Sequence, residues 1–595
     1  MTNHLTFLQK KNWLVFLSFL LAAAWIIAIY FVAGIYFETN DDRYMLEILS
    51  GALTGTCEPH IIFINYLLSY PLCLLYKITY SIPWYGIMLI AFHLLAYAII
   101  IYSTLKLCTT WKVIAIRTAA VFCVFFVSTY ITGLLQFTST ASFVAIAGYI
   151  YLFCTYIQKC SCSKYNYNLF LIIELLAFLI REDAMIMISA LGFGALTGLF
   201  IYLHIEETPS REGNSFSQIV SYVFTKLIPL ICCLLIVFAI GRLGNIIGYH
   251  GPDWEEYQRF NIARANMFDY QGAPSYENAK HILDKYNVSQ KEYNAFCHYT
   301  ILTEHISADC IEELEHYVHT SSETSSVSSL SQNITSALMC SFQTYASSNL
   351  WSIGKILLLL YFFCLLYFFM TQKCLLLFPL SGVFLSRTIA WSFLLYKGRI
   401  VNRVTFPLYL CEMLFLLTIL FLCKGKTHNN HHSTLCIYGN SIIMIAIVFI
   451  LLKSFAHTGI QEIRYVKEQN DTQKVYIEGL VEIQEYVNSR PSQTFLIEAN
   501  SLSYYRGSAF DTRIYRPRNA LVTGCWYSQS PPMKARIDTY LNSFDSPIYF
   551  MVAESSESRF TIILDYLEEL YESAPIINET FTASHGGTHL VYYFE

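Results

Sequence analysis

Apolar and polar positions sort this chain into long runs over its first three-quarters and into short alternations at its end. A bilayer core takes about 20 apolar residues per helix, and lipid offers the backbone no partners, so runs of that length convert into membrane spans. Eleven such runs occur, at 13–36, 84–105, 112–132, 137–157, 166–181, 184–203, 226–247, 351–372, 374–396, 404–423 and 434–453. The segment HIIFINYLLSYPLCLLYKI, residues 60–78, is nearly apolar enough to join them, but His60, Asn65, Pro71 and Lys77 interrupt it. It predicts an amphipathic helix at the membrane interface. Pro83 and Trp84, just beyond, suit a helix start at the headgroup level.

Past residue 453 the pattern changes. A helical stretch (VYIEGLVEIQEYV) precedes a β-type run (TFLIEA), a helix (KARIDTYLNSF), a strand (PIYFMVA), a helix (TIILDYLEELYE) and a last strand (THLVYYFE). Such alternation predicts a small α/β unit. The expected organisation is a transmembrane domain over 1–453 followed by an α/β domain over 454–595.

Composition agrees with the span pattern: 55% of the 595 residues are hydrophobic and 14% charged, against roughly 25% charged in an average soluble protein. The reading is a polytopic α-helical membrane protein. A net charge of -5 and a pI near 6.4 give no pull toward nucleic acid, so that class of partner is set aside. The first run is longer than a signal-peptide core and no small-residue cleavage site follows it, which makes it a retained anchor. Lys10, Lys11, Lys106, Lys112, Lys159, Lys164, Lys226, Lys373, Lys424 and Lys426 fall on alternate connections, which places those connections in the cytoplasm. The N-terminus is then cytoplasmic. The first loop (37–83), a long loop (249–350) and the C-terminal domain are extracytoplasmic, in what is expected to be a bacterial inner or plasma membrane.

Most of the 18 cysteines lie in apolar runs, where a thiol packs as a small hydrophobe. Cys297 and Cys310 are close enough in sequence to pair, while Cys160 and Cys162 lack a second ligand pair for zinc. The HNNHH group at 428–432 has no acidic or cysteine partner beside it. Asn287, Asn333, Asn470 and Asn578 begin N-x-S/T sequons, which matter only in a secretory pathway.

Candidate chemistry lies where charge breaks the lysine rule. Arg181, Glu182 and Asp183 (LIREDAM) fall at an outer turn, as do Lys397, Arg399 and Arg403 (YKGRIVNRVTF). Arg387 sits within the ninth run, in its outer half, where an ionisable group tends to face a wet cavity. Asp41 and Asp42 (FETNDDRYM) lie just above the first run. Acids and bases thus converge on one face. A carboxylate there suits a base near a nucleophile, and arginine forks match the oxygens of a departing phosphate. The plainer readings are a helix N-terminus for Asp41 and Asp42, lipid headgroup contacts for Arg399 and Arg403, and an ion pair with Glu174 or Glu412 for Arg387.

The order of these features resembles the GT-C superfamily of integral membrane glycosyltransferases. One span leads to an outer loop with the acidic pair, a short helix (RYMLEILSG) and an interfacial helix; arginine-bearing outer turns and a C-terminal outer domain follow. The resemblance implies a polyprenyl-phosphate sugar donor, an extracytoplasmic glycan, glycolipid or protein acceptor, and inverting hexosyl or pentosyl transfer. It gives the role of catalytic base to Asp41 or Asp42. Tyr44, Glu58, His60, Arg181, Glu182, Asp183, Arg387, Lys397, Arg399 and Arg403 are the expected substrate-binding residues. Neither an Asp-x-Asp nor a WWDYG-like motif occurs, so no metal ligand is assigned, although two neighbouring carboxylates have the chemistry to hold a divalent cation. The competing expectation is a transporter or flippase of lipid-linked sugars, which calls for repeated halves and a midplane site; no internal repeat is evident.

Overall fold

The computed structural model describes every residue except 1–10, 109, 160–161, 209–214, 300–304, 324–326, 345–350, 423–433, 503, 514–518, 543–547, 555–557, 584–586 and 595. The HNNHH group lies outside the described residues. Helices occupy all eleven predicted positions: α1 (Lys11–Ala33), α4 (Trp84–Leu105), α5 (Trp111–Val127), α6 (Phe137–Lys159), α7 (Lys164–Ile180), α8 (Glu182–Glu207), α9 (Phe216–Gly248), α15 (Trp351–Met370), α16 (Leu377–Tyr396), α17 (Asn402–Phe421) and α18 (Thr434–Asn488). Among the described residues, nine helices are long and apolar enough to cross a membrane. The two that fall short are α5 and α7, with 17 residues each. The chain is thus a polytopic helical protein.

Between these helices lie α2 (Asn40–Ser50) and α3 (Tyr66–Ile78) in the first loop. The long loop holds α10 (Pro252–Ala265), a π-helical turn (Asn266–Gln271), α11 (Tyr276–Leu283), α12 (Gln290–Cys297), α13 (Ala308–Glu323) and α14 (Val327–Gln343). With 13 residues, α3 is too short to cross. Asn65 caps it by accepting the Leu67 N–H at 3.1 Å, and Leu67, Tyr70, Leu74 and Ile78 leave an apolar stripe exposed. Trp84 opens α4 as expected.

Two parallel residue pairs tie the start of the chain to the bundle. β1 (Tyr36–Phe37) pairs with β2 (Leu134–Leu135), and the Glu38 N–H then donates to the Leu135 carbonyl at 2.9 Å. That anchors the entry to α2. The Asn470 amide on α18 reinforces it, donating to the carbonyls of Ala33, Gly34 and Gly133 at 2.9, 3.1 and 3.1 Å. Asn470 is buried, so this sequon carries a structural amide. Elsewhere α8 and α16 pack with backbones almost touching: a Cβ on Gly198 would meet the Phe378 carbonyl oxygen at 2.4 Å and one on Gly382 the Gly194 oxygen at 2.3 Å. Small residues permit this close approach.

The C-terminal region forms one five-stranded sheet in the order β4-β3-β5-β7-β6. Its strands are β3 (Thr494–Glu498), β4 (Ala520–Thr523), β5 (Ile548–Ala553), β6 (Ile576–Ala583) and β7 (Gly587–Tyr593), with α19 (Pro531–Asn542) and α20 (Ser558–Tyr571) between them. β4 and β5 flank β3 in parallel, while β7 runs antiparallel to both β5 and β6. The two strands that the sequence pattern does not predict have physical reasons for it. β4 is four residues long, too short to show a period, and β6 is an edge strand whose residues are mostly exposed. The boundary drawn at 453/454 falls inside α18, whose 55 residues run without a break from the bundle to the sheet. One hydrophobic cluster extends from the helices into Leu496, Leu521 and Phe550 of the sheet. The long loop has a smaller core of its own, where Cys297 and Cys310 remain free thiols.

Candidate functional site

Thr39, in an extended conformation, precedes α2 and leaves Asp41 and Asp42 in the first helical turn, where carboxylates complement the helix dipole. Successive helical residues point about 100° apart, so the two acids face different surroundings. Asp42 turns inward and is fully buried. Its Oδ1 accepts the Tyr85 hydroxyl at 2.8 Å and the Phe137 N–H at 3.2 Å, and Thr39 donates to Oδ2 at 3.3 Å. It joins α2 to α4 and to the start of α6. Asp41 turns instead into a cavity of about 380 Å³.

Segments far apart in the chain contribute its walls. α2 supplies Asn40, Asp41 and Tyr44; the first loop adds Phe63; and the start of α6 adds Phe137 and Thr138. Arg181 enters from the α7–α8 junction, and Arg399 and Arg403 from the turn joining α16 to α17. The long loop brings Asn261, Arg264 and Ala265 from one face of α10, then Asp269 and Tyr299. Ala499, Asn500, Cys525 and Trp526 come from the C-terminal region.

Four guanidinium groups therefore share the cavity with two carboxyls, Asp41 and Asp269. Arg181 pairs with Asp183 at 2.9 Å and lies over the rings of Phe63 and Phe137 at 5.5 and 5.9 Å. Arg399 approaches Asp269 at 3.9 Å. Arg264 is buried, and both its Nε and Nη2 donate to Asn261 Oδ1, at 3.2 and 2.9 Å, so the fork is held without a carboxylate. Arg403 makes neither a hydrogen bond nor an ion pair with the described residues, though its charge acts on Asp41 and Glu38.

Burial lifts the Asp41 carboxyl above the ordinary carboxylate range. Arg403, the Trp526 hydrogen bond and Arg264 oppose the lift, and Asp269 adds to it. Burial pushes Asp42 well above that range, with the Tyr85 bond opposing. Glu38, just ahead of α2, is raised by burial to about 7 against the Tyr130 hydroxyl, which donates to it at 2.5 Å, and against Arg403 and Arg506. A proton-hungry carboxyl beside fixed cations can accept a proton while an anion is bound nearby.

Of the residues expected at the site, Asp41, Tyr44, Arg181, Arg399 and Arg403 meet in this cavity. The others stand elsewhere. Arg387 is fully buried, donates to the Ser341 carbonyl at 2.7 Å and to Thr344, and lies 3.7 Å from Glu412. It serves the junction of α14, α16 and α17, because a buried guanidinium satisfies itself with the nearest acceptors. Glu58 and His60 pair with each other, and the His60 ring bonds the Gly248 carbonyl at 2.8 Å and stacks on Trp254 at 4.1 Å. They fasten the first loop to the end of α9. Glu182 pairs with Arg242 at 3.0 Å, Asp183 reaches the site only through Arg181, and Lys397 is exposed outside the cavity.

Sequence reasoning missed Asn261, Arg264, Asp269, Tyr299, Asn500, Cys525 and Trp526. The lysine rule carries no information in a long loop, so Arg264 gave no signal of the kind Arg181 gave. The i, i+3 spacing of Asn261 and Arg264 on a helix was the one available hint. Among the described residues no group of three or more acidic, His or Cys side chains is placed to hold a metal. No protein-family model, no curated protein and no solved structure matches this chain.

Proposed function

We propose that the cavity transfers a sugar from a polyprenyl-phosphate donor to an acceptor hydroxyl on the extracytoplasmic face of the membrane, with Asp41 as general base. The observation carrying this reading is that Asp41 shares one cavity with four arginines, two of which, Arg264 and Arg403, have no carboxylate partner. Arg264 is buried and Arg403 half-buried, and a cation drawn out of water without a paired carboxylate calls for an anionic ligand. In the proposed step the acceptor O–H proton passes to Asp41 as its oxygen bonds to the anomeric carbon. The bond from that carbon to the phosphate oxygen breaks, and the electron pair leaves with the phosphate among the arginine forks. A lipid-linked donor accounts for a site built at the ends of apolar helices. A flippase reading has less support, since the cavity charges come from helix ends and loops rather than from midspan.

The test uses the full chain in lipid nanodiscs with a panel of polyprenyl-phosphate sugars and hydroxyl acceptors, measuring released polyprenyl phosphate. Asp41→Asn is expected to lower the rate by about 10²–10⁴-fold, the usual contribution of a general base. Asp42→Asn, away from the cavity, keeps the rate within about tenfold. Full activity in folded Asp41→Asn protein, or movement of labelled lipid across vesicles without a new glycosidic bond, would overturn the assignment.

A further inference from the structure

The C-terminal region reaches the cavity at two places, Ala499–Asn500 after β3 and the turn Gly524–Cys525–Trp526 directly after β4. The backbone of that turn is constrained. Cys525 holds a φ of 68°, uncommon outside glycine, and Gly524 a φ of 89°. A Cβ on Gly524 would come within 2.2 Å of the Tyr299 carbonyl oxygen, so only glycine lets this turn pass the long loop. Left-handed backbone of this kind persists where the surroundings hold it, often beside functional side chains. Here it aims the Trp526 indole at α2. The ring meets Phe63 edge-on at 4.7 Å, and the Trp526 carbonyl accepts the Tyr257 hydroxyl at 2.9 Å. Its Nε1–H donates to Asp41 Oδ1 at 3.2 Å. Asp41 Oδ2 accepts no hydrogen bond from the described residues.

We infer that Trp526 is the positioning residue for Asp41: the indole holds one carboxylate oxygen and leaves the other turned to the cavity as the proton acceptor. The C-terminal region is then a working part of the site, and the Asp41 carboxylate is not oriented for proton transfer without it. The inference rests on the reading of Asp41 as a base. The other charged and titratable groups around Asp41 are Arg181 at the α7–α8 junction, Arg399 and Arg403 from the α16–α17 turn, Arg264, Asp269 and Tyr299 of the long loop, Tyr85 on α4, Cys525 beside the indole, and Tyr44 and Asp42 on its own helix. All of them stay in place when the indole N–H alone is removed.

Trp526→Phe makes that change in the full chain and keeps a ring against Phe63. A hydrogen bond to a carboxylate favours its charged form, so losing it raises the pH at which Asp41 deprotonates. A bond to a charged group is worth about 1.5–3 kcal/mol, which converts to roughly one to two pH units. The first readout is labelling of Asp41 by a water-soluble carbodiimide against pH, followed by peptide mass spectrometry, and it needs no substrate. The midpoint is expected to move up by about one pH unit or more. The second readout is sugar transfer, in which kcat falls, the donor KM holds and the acid limb moves up by the same interval. An unmoved midpoint in Trp526→Phe overturns the inference. So does wild-type behaviour of Trp526→Phe when only Trp526→Leu is impaired, because that is the signature of packing alone. Should the wild-type chain transfer no sugar while the labelling midpoint still moves, the base reading of Asp41 fails and the positioning of its carboxyl by Trp526 stands.

Discussion

Glu38 offers a test of the site's electrostatics that needs no substrate. The residue is half-buried, but its carboxyl is enclosed beside Tyr130 and within reach of the charges of Arg403 and Arg506, and that burial raises it from an ordinary 4.5 to about 7. Its Oε1 accepts the Tyr130 hydroxyl, whereas Oε2 is buried without a partner. A carboxyl raised on folding binds its proton more tightly in the folded chain. Its contribution to stability is therefore fully present below the unfolded value and is lost as pH rises through the folded one. At about 1.4 kcal/mol for each pH unit of displacement, the loss across the window from about 4.5 to 7 is about 3 kcal/mol. Glu38→Gln abolishes that titration. Its amide keeps an acceptor for Tyr130 but places an N–H₂ where no acceptor waits, at about 1–3 kcal/mol independent of pH. Denaturant unfolding in micelles at pH 5 and pH 8 separates the two effects. The variant should be the less stable protein at pH 5 by up to about 2 kcal/mol, and by pH 8 the difference should have moved by about 2–3 kcal/mol in its favour, leaving it equal to or more stable than the wild type. A constant gap at both pH values would refute the placement of the Glu38 carboxyl as a buried, titrating group. Asp41 is raised in both proteins and cancels in the difference, whereas Asp42 is lifted in part by the Glu38 charge, so a share of the change is read through Asp42.

Two further predictions concern the framework. Arg387→Met should destabilise the bundle by about 3–5 kcal/mol, because it strands Glu412 as an uncompensated buried charge; adding Glu412→Leu should restore much of that loss, as read by thermal unfolding in detergent. Asn470→Leu should cost about 2–3 kcal/mol by removing the donor shared by Ala33, Gly34 and Gly133. Protease cleavage after Ala33 should quicken in that variant, and unchanged protection would show that β1 and β2 hold the entry to α2 without it.

Residues acting through local chemistry are legible in the sequence. Arg181, Arg399 and Arg403 stand out because cations avoid short loops on one side of a membrane, and all three line the cavity. The pair Asp41 and Asp42 stands out because it follows the first apolar run so closely. Arg387 obeys the same logic and misleads it: the acceptors nearest to it are Ser341, Thr344 and Glu412. Glu58 and His60 fit a binding role by type, yet they satisfy each other first. Composition names a reactive side chain and says nothing of which neighbour will consume it.

Membrane embedding and the order of the helices were decided by the chain alone, since an apolar run of about twenty residues has few other stable solutions in lipid. Which of two adjacent aspartates meets the cavity was decided only by the tertiary structure, through the rotation of α2 against α4 and α6. The same holds for Arg264 and Trp526, which lie hundreds of positions from Asp41 in segments without a membrane pattern. Their contribution exists only once the long loop and the sheet close over the ends of the helices, because contact between distant segments depends on packing and leaves no periodic trace in sequence.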